Sequence, residues 1–354
     1  MKGLRLFCLL LVMCVSIANA ESDVKRTASG KPDLSGVYDT GTLTPLQRPE
    51  FLGETEYLYK WVADLINWAA EWAYDLAFET TSDPDREAPP EGGDGSAGAA
   101  GNVGGYNAFW IDRGEDAFTL NGKFRTSIVT APASGQRPSF TPVAQARMAA
   151  LYKGYRRGND GTAWWLDQEG PGPYDNMEQR PKAERCLLGF SSTGGPPMLP
   201  ALYNNLKRIV QTDTHVMILT EMVHDARVIR LNSTHRPDDV RTWMGDSIGR
   251  WEGDTLVVDT KNFSDSPALS GADENLHVIE RFQRIDDQTL RYSFTVEDET
   301  VWQEPWGGDY PWPASDNKVY EYACHEGNYS FGNIMRGARL LEQDKLAQEA
   351  AGGG

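Results

Sequence analysis

Histidine, cysteine and positive charge are all scarce in this chain, and each scarcity narrows what it can do. Its 354 residues carry 34 Lys and Arg against 51 Asp and Glu, a formal net charge of −17. That balance argues against nucleic acid and against anionic lipid surfaces as partners. Long apolar runs are missing too. Leu6 to Val15 is too short to span a membrane, so no transmembrane span is expected. No glycine-rich loop stands ahead of a helix to cradle a phosphate. Gly245-Asp246-Ser247-Ile248-Gly249 spells G-x-S-x-G, but it leads into a strand and not a helix. It therefore reads as a turn and not as a nucleophile elbow.

The start of the chain has the form of a secretory signal. Lys2 and Arg5 precede the apolar run, and Ala18-Asn19-Ala20 offers a small-x-small cleavage site before Glu21. Cleavage after Ala20 implies a periplasmic or secreted protein, and losing Lys2 and Arg5 takes the charge from −17 to −19. Cys8 and Cys14 leave with the signal, so Cys186 and Cys324 are the two left. In an oxidising compartment they are expected to pair, with free thiols or a metal site as alternatives. The bridge would close a loop of 138 residues, for which chain entropy sets an upper stabilisation of ~5 kcal/mol.

What is present is β-pattern. Residues 21–45 supply a first strand near Leu34 to Tyr38, and 46–205 form a helical and irregular insert. Within that insert, Leu58 to Phe78 repeats Trp61, Leu65, Trp68 and Trp72 at helical spacing, as an amphipathic helix packed on a sheet would, with membrane contact as the alternative. Thr80 to Gly105 is a Gly/Pro-rich loop or linker, Tyr106 to Asp112 and Thr126 to Thr130 are short strand candidates, and Thr141 to Tyr152 is a helix. Residues 206–335 read as successive antiparallel hairpins. Trp251 to Leu256 turns at Gly253-Asp254, and Leu276 to Ile285 turns at Asp286-Asp287-Gln288 into Leu290 to Val296. In that last run Leu290, Tyr292, Phe294 and Val296 alternate with polar residues, giving one buried face. Val319 to Cys324 reads as a further strand, and 336–354 as a charged helical tail. The fold class expected is mainly β: a lipocalin-like antiparallel barrel, the insert packed outside it or over its mouth.

The runs RTSIVTAP and TPVAQAR (Arg125 to Pro132, Thr141 to Arg147), LTEMVHDARVIRL, WMGDSIGRWEGDTLVVDTKNF, LHVIERFQRIDDQTLRYSFTV and YEYACHEGNY resemble a large family of secreted bacterial proteins. The resemblance covers most of Arg125 to Arg339 and implies relatives without a settled activity. A weaker similarity is to lipocalin-like (calycin) barrels, in which Gly-x-Trp opens the first strand. Gly36-Val37-Tyr38 departs from it at Tyr38, and so does the long insert. That similarity concerns fold, not function.

Five histidines are the natural start for chemistry. His224 lies in the charged insert Glu221 to Arg227, His277 lies three residues before Glu280-Arg281, and His325 follows Cys324. His215 and His235 fall in turns and are expected to be solvated. Glu280 shares a strand face with Leu276, Val278 and Phe282, where an isolated carboxyl would have a raised pKa. His224, Glu280 and His277 are therefore the candidate acid–base residues. Arg227 and Arg281 are candidate anion clamps, and Trp251 and Trp306 candidate substrate contacts. Trp302 to Trp312 would form a lid over the mouth. In the plainer alternative Glu280 simply pairs with Arg227 across the barrel. A metal variant gathers His224, His277, His325 and Glu221 around Zn, Fe or Cu. The function expected is a cavity for a small, partly apolar molecule and cofactor-free lyase, hydratase, isomerase or hydrolase chemistry. The competing class is a non-catalytic ligand-binding or envelope interaction protein. Oligomeric state is open.

Overall fold

The computed structural model describes residues 24–78, 114, 116–120, 122–153, 161–189, 192–201 and 203–352. The stretch expected as a signal sequence, the Gly/Pro-rich stretch after Phe78 and the strand expected at Tyr106 to Asp112 lie outside them.

In chain order the regular elements begin with β1 (Gly36–Asp39), β2 (Tyr57–Leu58) and α1 (Lys60–Phe78). Then come β3 (Thr119–Leu120), β4 (Lys123–Arg125), β5 (Val129–Ala131) and α2 (Pro142–Lys153). β6 (Leu206–Gln211), β7 (His215–Thr220), β8 (Ala226–Leu231), β9 (Asp246–Glu252) and β10 (Thr255–Lys261) follow. β11 (His277–Arg284), β12 (Thr289–Glu297), β13 (Trp306–Pro313) and α3 (Tyr329–Gly352) complete the chain. Ten strands make one curled sheet, a half-barrel, in the order β1-β6-β7-β8-β9-β10-β11-β12-β13-β5, while β2-β4-β3 form a small second sheet. Every neighbouring pair in the large sheet is antiparallel except β8 and β9.

The concave face is apolar because the strands alternate as their sequence does. In β12, Leu290, Tyr292, Phe294 and Val296 are buried while the residues between them are half-buried or exposed. Tyr292 and Trp312 stack at 4.8 Å between ring centroids, and Phe282 meets Trp312 edge-on at 5.6 Å. Trp306, Tyr310 and Trp312 all belong to β13 and are fully buried. From Trp306 onward the stretch expected as a lid is therefore a sheet strand. Its Gly307 and Gly308 are required, since a Cβ at either would overlap a carbonyl oxygen of Phe294 or Ile128.

Val319 to Cys324, expected as a strand, is not one. Its backbone finds side chains instead of a ladder. Tyr320 N–H donates to Glu221 Oε1 (2.9 Å) and Tyr322 N–H to His224 Nδ1 (3.0 Å). The helices form as expected, and α2 starts with the Thr141 hydroxyl capping Ala144 N–H (3.2 Å). One correction concerns α1. Among its residues whose burial is described, Ala63 is the one buried, and Trp61, Leu65, Trp68 and Trp72 are 55–70 % exposed, so these four are not packed on a sheet.

The irregular insert enters the core. Met198 and Leu199 are buried in the main apolar cluster. Met198 N–H donates to the Tyr292 hydroxyl (2.8 Å), and the Tyr310 hydroxyl donates to Met198 O (2.7 Å). Cys186 and Cys324 form the expected disulfide, tying this segment to the loop ahead of α3.

Candidate functional site

Charged groups gather in three places. The first is inside the sheet. Arg227 on β8 donates to both Glu280 oxygens on β11 (2.7 and 3.1 Å), and the Tyr292 hydroxyl donates to Glu280 Oε1 (2.9 Å). Glu280 is fully buried and Arg227 nearly so. This is the plainer of the two expectations: a closed tie across three strands. It removes Glu280 as an isolated acid–base group and Arg227 as a free anion clamp.

The second place is the opposite face of β11. His277 is an odd-numbered neighbour of the inward Val278 and Glu280, so it points outward. Its Nε2 lies 3.1 Å from Asp259 Oδ1 and its Nδ1 2.9 Å from Glu297 Oε2. His235 repeats the arrangement, with Nε2 3.1 Å from the same Asp259 oxygen and Nδ1 3.0 Å from Asp246 Oδ2. Five groups thus alternate acid and imidazole from Asp246 to Glu297. His235, expected to be solvated, is instead mostly buried within this row. The hydrogen bond with Asp259 leads the causes that raise the His277 pKa. The same contact, with burial opposing, holds Asp259 below the usual carboxylate range. Burial works to raise Asp246, but Arg230, the Arg236 N–H and His235 outweigh it and bring the carboxyl to about 2. Two hollows of about 460 and 540 Å³ flank His277.

The other candidates are ordinary surface or core groups. Arg281 pairs with exposed Glu252 (2.9 Å), Lys31 lies over the Trp251 ring, and Trp306 is enclosed in the core. The metal set does not assemble. His277 is committed to two carboxylates, His224 to Tyr322 N–H and Glu221 to Tyr320 N–H, while His325 is exposed beside the disulfide. Among the described residues no three His, Cys, Asp or Glu side chains converge as metal ligands.

The third place was missed from sequence. Lys207 is the second residue of β6 and is completely buried. Its ammonium donates to a neutral acceptor, Thr193 O (2.8 Å), while Asp225, Glu221 and Asp39 act on it through space. Burial dominates and pushes the amine down to about 7. Asp225, half-buried on the turn between β7 and β8, is pushed up to about 6 by burial, against the Gly189 N–H and Lys207. The walls are tightly made. A Cβ on Gly194 would run into Asp225, and Ser192, Val223 and His224 hold left-handed backbone with φ of 66°, 59° and 52°. For a β-branched residue such as Val223 that conformation is costly, and it is held by its surroundings. The signal available in sequence was a lone lysine beside β-branched residues, Lys207-Arg208-Ile209-Val210, indistinguishable from an ordinary strand end.

Compared with protein-family models, with curated proteins and with solved structures, the chain finds no match.

Proposed function

We propose that this is an exported protein, related to the secreted bacterial family its motifs resemble, with an acid–base site built on Lys207 and Asp225. The substrate would be a small, partly apolar molecule, handled without an organic cofactor by proton transfer of the lyase, hydratase, isomerase or hydrolase kind. The observation that carries this is the placement of Lys207: a buried amine held by a backbone carbonyl, with the half-buried Asp225 carboxyl acting on it through space. An amine and a carboxyl whose affinities for protons lie close together can exchange one near neutral pH. Glu221 and His224 brace the rim by holding the 320–322 backbone.

A lipocalin-like closure belongs to the same proposal. Ser315 N–H donates to Val37 O (2.9 Å) and Ala314 bridges Tyr38, so β1, at one end of the ladder, meets the chain that follows β13, the strand next to last at the other. The second reading, a non-catalytic envelope interaction protein, is favoured by the aromatic filling of the concave face, which leaves that face a packed core.

The test screens wild type, Lys207→Met and Asp225→Asn against a panel of small esters, lactones, enones and hydroxy acids. Alongside it, Lys207 is titrated by NMR of its εCH2 group. Turnover lost in both folded variants, with Lys207 titrating near neutrality, is the expected result. Titration near the ordinary lysine value, or turnover indifferent to both changes, ends the proposal.

A further inference from the structure

The inward face of the sheet turns polar at one end, past Ile209 on β6 and Ile218 on β7. There Lys207 stands opposite Thr220, and Thr220 N–H donates to Asp225 O (2.8 Å). The three make one row across β6, β7 and the approach to β8. Lys207 and Thr220 have no exposed surface. The Thr220 hydroxyl is the anomaly of this row, because Oγ1 is buried with no hydrogen-bond partner.

A second unmet group lies one diagonal away. Ile218 is opposite Arg227, so Arg227 is the next inward residue across from Thr220. Diagonal neighbours on one face of a sheet stand about 7–8 Å apart. Arg227 spends both terminal nitrogens on Glu280, which ends it as a two-armed clamp and leaves one donor. That donor, Nε–H, is buried without an acceptor. Buried polar atoms are nearly always paired. Two exceptions on one face, beside an amine and a carboxyl, ask for a ligand that satisfies both. One is a hydroxyl oxygen able to attack, and the other a charged donor able to hold an oxygen that gains charge.

We propose that Thr220 is the nucleophile of this site, that Arg227 Nε–H holds the carbonyl oxygen, and that the substrate is a small carboxylic ester, open-chain or cyclic. This rests on the acid–base reading of Lys207 and Asp225 given above and adds the bond that is made. Neutral Lys207 takes the Thr220 proton as Oγ1 bonds to the carbonyl carbon. The bond from that carbon to the alcohol oxygen breaks, and the departing alkoxide takes the proton from Lys207, leaving an acyl-threonine. Water then attacks the acyl carbon and gives its proton to Lys207. The threonine oxygen leaves and recovers a proton from the same amine. The products are a carboxylic acid and an alcohol, and Asp225 balances the ammonium while it lasts. Of the row, Asp225 alone reaches solvent, so the ester approaches past its carboxyl.

The experiment treats the full chain with p-nitrophenyl acetate and γ-butyrolactone, following hydrolysis and the mass of acid-quenched, trypsin-cut protein. Wild type is expected to carry an acetyl group on the peptide Ile209 to Arg227, with hydrolysis rising as pH passes about 7. Thr220→Ser should keep the adduct. Thr220→Val should lose it, together with at least about 10³-fold of the rate. It should also melt no lower than wild type, because the hydroxyl it removes has no partner. An acetyl group on Lys207 instead, an unchanged rate in Thr220→Val, a lowered midpoint in that variant, or a wild type that leaves both esters intact would each overturn the nucleophile. In those cases, turnover of other small molecules that still needs Lys207 and Asp225 keeps the acid–base reading, and turnover indifferent to them ends both.

Discussion

Glu280 and Lys207 are both withdrawn from water, and they differ in what meets them. Glu280 is met by a guanidinium and a phenol. Replacing it with Ala leaves Arg227 charged in the core, and we expect a loss of about 3–5 kcal/mol in urea unfolding. Lys207→Met should behave in the opposite way. The Lys207 pKa of about 7 lies below the unfolded value of about 10.4, so between those limits the unfolded chain holds the extra proton. Stability then rises with pH across that window, and below it the folded state carries a penalty of up to about 5 kcal/mol. The variant should lose that slope and be the more stable protein at pH 6. His277 has the other sign. Its pKa is raised by Asp259, so its contribution is complete below the unfolded value of about 6.5 and lost as pH climbs through the folded one. His277→Asn should flatten that fall in a series of urea midpoints taken upward from pH 6.

How legible such residues are depends on how local their cause is. The inward turn of Glu280 follows from period-two alternation, which a sequence shows directly, whereas its meeting with Arg227 on β8 is set by the curl of the sheet. Asp259 gathers His235 and His277 from a turn and a neighbouring strand. Nothing in the spacing of 235, 259 and 277 announces that meeting, because register between strands decides it.

Among elements, β13 and α1 are instructive because sequence misplaced both. Trp306-Gly307-Gly308-Asp309-Tyr310-Pro311 reads as a loop by its Gly and Pro content. It serves as a strand because β5 covers only Gly307 and Gly308, leaving no ladder partner on that side for Pro311 to disappoint. Gly308→Ala should force β5 away from β13, cost about 1–3 kcal/mol, and speed amide exchange at Asp309, whose N–H donates to Ile128 O. On α1, Trp61, Leu65, Trp68 and Trp72 have helical period without burial. Period reports that a helix can form one apolar face and is silent on whether anything covers it. Trp61→Ala with Trp68→Ala should therefore move global stability by no more than about 0.5 kcal/mol.

At the scale of the molecule, the hairpins from Leu206 onward and the Cys186–Cys324 bridge were both visible in the sequence, while the seat of the insert was not. Changing both cysteines to Ser should lower unfolding free energy by no more than the ~5 kcal/mol of the loop-closure limit. The nearest effect should be faster exchange around Met198, whose segment the bridge tethers.

The strand order carries a consequence for how the chain is made. β1 and β5 leave the ribosome early, yet their neighbours in the ladder are β6 and β13, and β13 is complete only at Pro313. An edge strand kept waiting that long passes most of synthesis with its amides and carbonyls uncommitted. Assembly of this sheet is therefore finished by pieces that were already present at its outset.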